Sequence, residues 1–339
     1  VQHSAILAPV AIGAFFILGA AAAAPEFLPP SEMAATPSAL AQRAPMQALA
    51  RAGQRLVAAG QRGQILVSDD GRQWRQAAVP VGVDLTALSF PTARSGWAVG
   101  HEGVILHSAD GGATWRRQLD GAALQALAGL PQGAPPALLD VWFEDEQKGY
   151  VVGAFNLLLR TVDGGRSWQS WGDRTDNPHG FHLYGIRPAG GGLFIVGEQG
   201  LVLKLDASGR RFKALSFPYH GTLFGITGTP ALALAFGLRG NAWRSTDGGT
   251  SWSRCETGVQ AGLAAGTVRA DGAVMLASQA GHLLLSGDGG ASFQTQKTVV
   301  TSPAYAIADA GGGRTALAGI GGVRVEAPQP AAGGSESRP

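Results

Sequence analysis

The chain has 339 residues, with 26 Lys and Arg against 24 Asp and Glu, a formal balance of +2. Only 15% of residues are charged and no basic block interleaves with aromatics, which argues against a nucleic-acid interface. A single cysteine, Cys255, excludes an internal disulfide, and 51 glycines point to a protein built largely of tight turns.

Ala5 to Ala24 form an apolar stretch that ends in a run of alanines before Pro25-Glu26. A small-residue end of this kind reads as a secretory signal cleaved near Ala23 or Ala24. The stretch is also just long enough for an uncleaved anchor. Either way residues 1–24 predict export, to a periplasm or to the non-cytoplasmic face of an inner membrane. Residues 25–45 read as a linker, and within it Thr36 to Arg43 is expected to donate a strand that closes the following domain.

From Met46 onward one phrase recurs. A short copy, Ser68-Asp69-Asp70-Gly71-Arg72-Gln73-Trp74, comes first, followed by Ser108-Ala109-Asp110-Gly111-Gly112-Ala113-Thr114-Trp115. The same pattern returns at Thr161 to Trp168 around Asp163, at Ser245 to Trp252 around Asp247, and at Ser286 to Phe293 around Asp288. An eroded copy keeps Asp206 and Gly209. Gly-Gly supplies positive φ at little cost. The Asp carboxylate accepts backbone N–H bonds within its own turn, so Asp70, Asp110, Asp163, Asp247 and Asp288 are read as structural. The Trp or Phe that ends each copy is expected to pack against the next unit.

Upstream of each Asp box lies a Gly-x-x-Gly hairpin, as in Gly100-His101-Glu102-Gly103, and upstream of that another apolar strand, such as Leu85 to Phe90. Each unit thus reads strand A, strand B, Gly-x-x-Gly, strand C, Asp box, strand D, which is a propeller blade. Taking Gly63, Gly103, Asn156, Gly200, Gly240, Gly281 and Gly322 as equivalent gives steps of 40, 53, 44, 40, 41 and 41 residues. The expected fold is all-β: a seven-bladed propeller of four-stranded antiparallel blades with Asp-box hairpins, over residues 46–326. The long step marks an insertion in which Ala122 to Leu130 can form a helix. The last unit lacks an Asp box and a strand D, hence the expectation of a donated strand. The Pro-, Gly- and Ser-rich residues 327–339 read as a disordered tail.

Strand alternation puts A–B and C–D loops on one face of the disc and B–C and D–A loops on the other. The second face carries the longer loops, where binding residues concentrate. Its richest stretch is Trp171 to His182, with Phe217-Pro218-Tyr219-His220 beside it. Mixed aromatics and arginine are what interaction hot spots use. The candidate partner-binding residues are therefore Trp171, Arg174, His179, His182, Tyr219, His220, Arg239, His101 and Glu102. His179 and His182, with His220 nearby, invite a metal, but zinc takes about four first-shell ligands, or three with a water, and no cysteine helps here; no metal and no cofactor are expected. Cys255, close behind Trp252, reads as structural.

The combination of Leu139-Asp140-Val141-Trp142-Phe143-Glu144-Asp145, Gly149-Tyr150-Val151-Val152-Gly153 and Leu159 to Gly165 is more specific than an Asp box alone. So is Leu85 to Phe90 followed by Gly96-Trp97-Ala98-Val99-Gly100. These phrases resemble the photosystem II assembly and stability factor family of seven-bladed propellers, over about residues 46–326. The resemblance implies a non-catalytic protein, outside the cytoplasm, that escorts a membrane protein complex during assembly. It also implies a surface lined by arginine at strand C ends, where this chain has Arg160 and Arg244 but His107, Lys204 and Leu285. The expected partner is a membrane protein or transporter complex, bound by a monomer with no small-molecule substrate. The alternatives are a sialidase-like Asp-box glycoside hydrolase and a small-ligand binder. Against the first, the Phe/Tyr-Arg-Ile-Pro phrase of sialidases is absent, with only Ile186-Arg187-Pro188 near it.

Overall fold

The computed structural model describes residues 28–130, 136–298 and 300–327. Seven antiparallel sheets follow one another along the chain, six of four strands and the last of three, each with its strands in sequence order. The first strands are Met46–Ala52, Leu85–Ser89, Leu138–Phe143, Leu183–Ala189, Leu223–Thr229, Leu263–Val268 and Ala304–Gly311. Each of these A strands touches the next, and that of blade 7 touches that of blade 1, so the ring closes around a central channel.

Neighbouring blades cover both faces of strand B, which is why strands such as Gly96–Gly100, Gly149–Gly153 and Leu232–Gly237 are buried at every position. A strand buried on both sides needs a continuous apolar run, and that is what the sequence shows there. The D strands at the rim are short and mostly exposed. The apolar clusters straddle blade junctions. Trp97 of blade 2 stacks on Phe143 of blade 3 with ring centroids 3.6 Å apart and planes 8° from parallel. The aromatic residue that ends each Asp box packs against the preceding blade, not the next as expected. Trp252 of blade 5 meets Phe194 of blade 4 edge-on at 6.4 Å, and Phe293 of blade 6 clusters with Phe236 of blade 5.

The expected closing strand is not formed. Thr36 to Ser38 pair with no strand, and Ala41–Arg43 make a single 3-10 turn packed on strand Gly322–Glu326 of blade 7. The segment instead crosses the outside of blade 1 and reaches blade 2. Gln76 Nε2 donates to Thr36 O, Ala35 N to Val79 O, Gly82 N to Pro30 O, and Arg117 Nη1 to Ser31 O. Packing between blades 7 and 1, with Ala41 and Met46 against Ala318 and Val323, closes the ring. No fourth strand is needed for closure, and among the described residues blade 7 keeps three. The expected leader (1–24) and nearly all of the tail lie outside the described residues. Among those described, no helix is long and apolar enough to cross a membrane.

The insertion after blade 2 forms helix α1 (Gly121–Ala128), capped by Asp120, whose Oδ1 accepts from Ala123 N at 3.0 Å, and ended by Gly129 in the left-handed region.

Every full Asp box has the same internal wiring. In the box of blade 5, Ser245 Oγ donates to Asp247 Oδ1 (2.8 Å) and accepts from Gly249 N (2.8 Å). Ser251 N and Oγ donate to the same carboxylate. Such bonds hold the carboxyls below the usual range: Asp163 falls to about 2, chiefly through the Ser167 hydroxyl, and Asp247 and Asp288 also shift down. Turned this way, the box presents its Asp and Gly carbonyls to the preceding blade. Arg55 Nη1 donates to Asp110 O and Gly111 O, Gln118 Nε2 to Gly164 O, and Lys204 Nζ to Gly248 O. Arg244 Nη1 donates to Asp288 O and Gly289 O, and Arg314 Nη1 to Asp70 O.

Two stability predictions follow from this packing. Trp97→Ala removes a fully buried indole and should lower the unfolding free energy by about 3–5 kcal/mol, read from denaturant melts; a loss under about 1 kcal/mol would mean that the junction repacks freely. Because the box carboxyls titrate lower in the folded state than in the unfolded one, their stabilisation is present above the ordinary value of 3.8 and is lost as pH falls, through about 2 for Asp163 and lower still for Asp247 and Asp288. The melting temperature should therefore drop steeply in that window, and Asp163→Asn should flatten part of the drop.

Candidate functional site

The face made by B–C and D–A loops carries four exposed large apolar side chains, Phe155, Leu238, Ile320 and Tyr305. Three of these sit in B–C turns, and in five blades the B–C turn has one unusual backbone feature. Arg62, Glu102, Phe155, Gln199 and Arg239 all have φ between 53° and 57°, although none is glycine. A left-handed non-glycine residue is sparsely populated and clusters at functional positions. The conformation is held from below. In blade 4 the turn ends in Gly200, where a Cβ would lie 1.8 Å from Tyr219 O of the following D–A loop. Only glycine fits there, so the B–C turn and the D–A loop are locked together and the residue before it is pushed outward.

A second repeated device shapes the centre of this face. Each A strand carries a bulge or register shift at its second residue against strand B. The seven bulged residues are Gln47, Thr86, Leu139, Tyr184, Phe224, Ala264 and Tyr305, and all seven line the mouth of the central channel. Bulges re-aim side chains, and here they build a collar with three aromatic members. Below the collar the next residue is small in six blades: Ala48, Ala87, Gly185, Gly225, Ala265 and Ala306. In blade 3 it is Asp140. Its Oδ2 accepts from Arg187 Nη1 (2.6 Å) and from Ile186 N (2.8 Å) across the junction with blade 4. Burial pushes this carboxyl up against the pull of Arg187. Asp140 is the one carboxylate among the described residues lining the central cavity of about 230 Å³.

The expected partner-binding residues divide into three groups. His101, Arg174, His179, His220 and Arg239 are exposed on the loop face, and Glu102, His182 and Tyr219 are half-buried there. His182 is tied into a small cluster. Its Nδ1 accepts from Phe155 N (3.1 Å), its backbone N donates to Glu198 Oε2 (2.8 Å), and its ring meets Phe155 edge-on at 4.5 Å. Tyr219 Oη donates to Leu238 O and lies next to Asn241. Trp171 is a correction: only 7% exposed, it packs edge-on against Tyr150 with the Arg160 guanidinium 4.5 Å above its ring, so it belongs to the core. Its loop is pinned inward as well, by Asn177 Nδ2 on Asn156 Oδ1 and by Arg211 Nε on Asp176 Oδ1.

The arginine-lined surface implied by resemblance is largely spent inside the fold, since Arg160 covers Trp171 and Arg244 braces the Asp box of blade 6. Cys255 is buried and its thiol is pushed up to about 12, which makes it inert as a nucleophile at neutral pH. No group of three His, Cys, Asp or Glu among the described residues is placed to hold a metal ion. Sequence reading missed Phe155 and the collar. Phe155 had a signal, a bulky apolar residue in a tight turn; the bulges had none, because one extra residue leaves the apolar run unchanged.

Residues 130–258, blades 3 to 5, match the family model described as photosynthesis system II assembly factor YCF48. The chain is 30% identical over 135 residues to a photosystem II assembly lipoprotein Ycf48 of a Synechococcus strain, an alignment that covers 39% of each. A Picosynechococcus protein of the same name is 32% identical over 95 residues, 27% of this chain and 25% of that one. The chain thus matches well under half the length of these curated relatives. A solved structure described as YCF48 bound to D1 peptide superimposes with a TM-score of 0.65 at 18% identity, covering 85% of this chain and 93% of that one, which shows a shared fold. Repeat, ring and superposition agree on a seven-bladed β-propeller, and its blades 3 to 5 are similar to the photosystem II assembly factor family.

Proposed function

We propose that this protein is a non-catalytic, exported scaffold whose loop face holds a segment of a membrane protein during assembly of a larger complex. The observation that carries the reading is the difference between the two faces. Asp-box turns spend their polar groups on one another and on the preceding blade. The loop face leaves the side chains of Phe155 (74% exposed), Leu238 and Arg239 without such duties. Apolar anchors beside a guanidinium, on a rigid support, are what a protein-binding hot spot requires. The names of the curated relatives describe assembly lipoproteins, and one fold relative is described with a bound peptide. Those names, with the apolar Ala5 to Ala24, support export and a membrane-associated client. The central cavity argues against glycoside hydrolysis, which needs a pair of carboxyl groups at a set separation, because its one carboxylate is engaged by Arg187.

The test is capture of the client from detergent-solubilised membranes by the tagged protein. Phe155→Ala combined with Arg239→Ala should reduce capture several-fold while shifting stability by no more than about 0.5 kcal/mol, as exposed substitutions do. Trp171→Ala should do the opposite to stability and lower it by about 3 kcal/mol or more. Normal capture by the double variant, with capture abolished by Arg94→Ala and Lys148→Ala on the Asp-box face, would overturn the assignment.

A further inference from the structure

Arg187 is engaged on one side only. Its Nη1 donates to Asp140 Oδ2 (2.6 Å), Ile186 O (2.6 Å) and Val141 O (3.2 Å). Its Nε and Nη2 donate to no protein acceptor among the described residues, and neither is among the buried atoms left without a partner. The side chain is 37% exposed and the residue lines the central cavity, so this second edge looks into the channel. The Nε–Nη2 edge of a guanidinium is the fork that takes a carboxylate through two parallel hydrogen bonds.

Its surroundings suit such a ligand. Asp140 fixes the guanidinium from the far side and receives two backbone N–H bonds, from Ile186 and Val141, so the ion pair is held in one geometry without the ligand. The small residues beneath the collar leave the space open, and Tyr184, Phe224 and Tyr305 stand at its entrance. A concave site with an aromatic rim and a few fixed polar groups is the general form of a small-ligand pocket.

We propose that the central channel is a binding site for a carboxylate attached to an aromatic or apolar body, held by the free edge of Arg187 below the aromatic collar. The carboxylate can come from a free organic acid or from the C-terminus of an extended peptide. Asp140 already neutralises much of the guanidinium charge, so binding is of modest strength, with specificity coming from the two-bond geometry.

The test uses the full chain and three probes followed by titration calorimetry: phenylacetate, the peptide acetyl-Ala-Ala-Phe as free acid, and the same peptide as C-terminal amide. Both acids should bind, and the amide should bind at least about tenfold more weakly, a difference of about 1.4 kcal/mol. Arg187→Lys keeps the charge facing Asp140 but loses the fork, and should weaken both acids to a similar degree. Tyr305→Ala, at the rim, should weaken them less. Phenylacetate binding as tightly as the peptide acid identifies a free acid as the ligand, and a clear preference for the peptide identifies a chain terminus; both outcomes support the site. Equal binding of acid and amide, or no saturation by either acid up to about 10 mM, would overturn it. The acid–amide comparison on the unaltered protein holds even if Arg187→Lys folds poorly. The Phe155→Ala and Arg239→Ala double variant should bind the acids normally, which separates this site from client capture.

Discussion

The constraint on which the ring depends is the saturation of one carboxylate inside a turn. Once the box Asp has taken the N–H and O–H donors of its own hairpin, as Asp247 does from Ser245 and Ser251, the Gly-Gly backbone is fixed and its carbonyls point away. A long donor from the preceding blade then reaches them, as Arg55, Gln118, Lys204, Arg244 and Arg314 do. Each such bond contributes about 0.5–1.5 kcal/mol, a sizeable share of a net stability of about 5–15 kcal/mol. The junctions without a full box are held by other means. Between blades 3 and 4, where Asp206 stands in an eroded copy, Asp140 bridges to Arg187 and Asp176 to Arg211. Between blades 6 and 7, Ala270 N donates to Asp309 Oδ2.

This division of labour separates the two faces. On the Asp-box side, polar atoms are committed to the ring and substitutions there act on stability. The loop side is built on the same frame, but its outermost residues are released. Left-handed backbone at Phe155 and Arg239, and bulges at Tyr184, Phe224 and Tyr305, re-aim these side chains toward the loop face and the channel mouth. The strain is carried by glycine contacts such as Gly200 against Tyr219 O, so the surface is held in place by the fold itself.

The sequence made the ring legible because a blade is a local unit. A repeat near forty residues, a hairpin glycine pair and an apolar strand B are all visible within one copy, and the blade count follows from them. What depended on contacts between distant segments was harder to see. Ring closure by a strand was the natural expectation from a missing strand D, yet packing of Met46 and Ala41 on Val323, with a strap over blade 1, does that work. Trp171 looked like a loop anchor because it follows a rim strand; its burial is set by Tyr150 and Phe212, from the same and the next blade. Asp140 stood in a phrase that pointed to the family, but its partner lies 47 residues away, beyond any local pattern.

The central claim is that the loop face binds and the Asp-box face only supports. Hydrogen–deuterium exchange of the protein alone and with its captured client tests this most directly. The account predicts added protection in the loops around Phe155, Arg174 to His182, Tyr219 and Arg239, with the Asp-box turns unchanged. Protection confined to the turns around Asp110, Asp163 and Asp247, with the loop face unaffected, would contradict it.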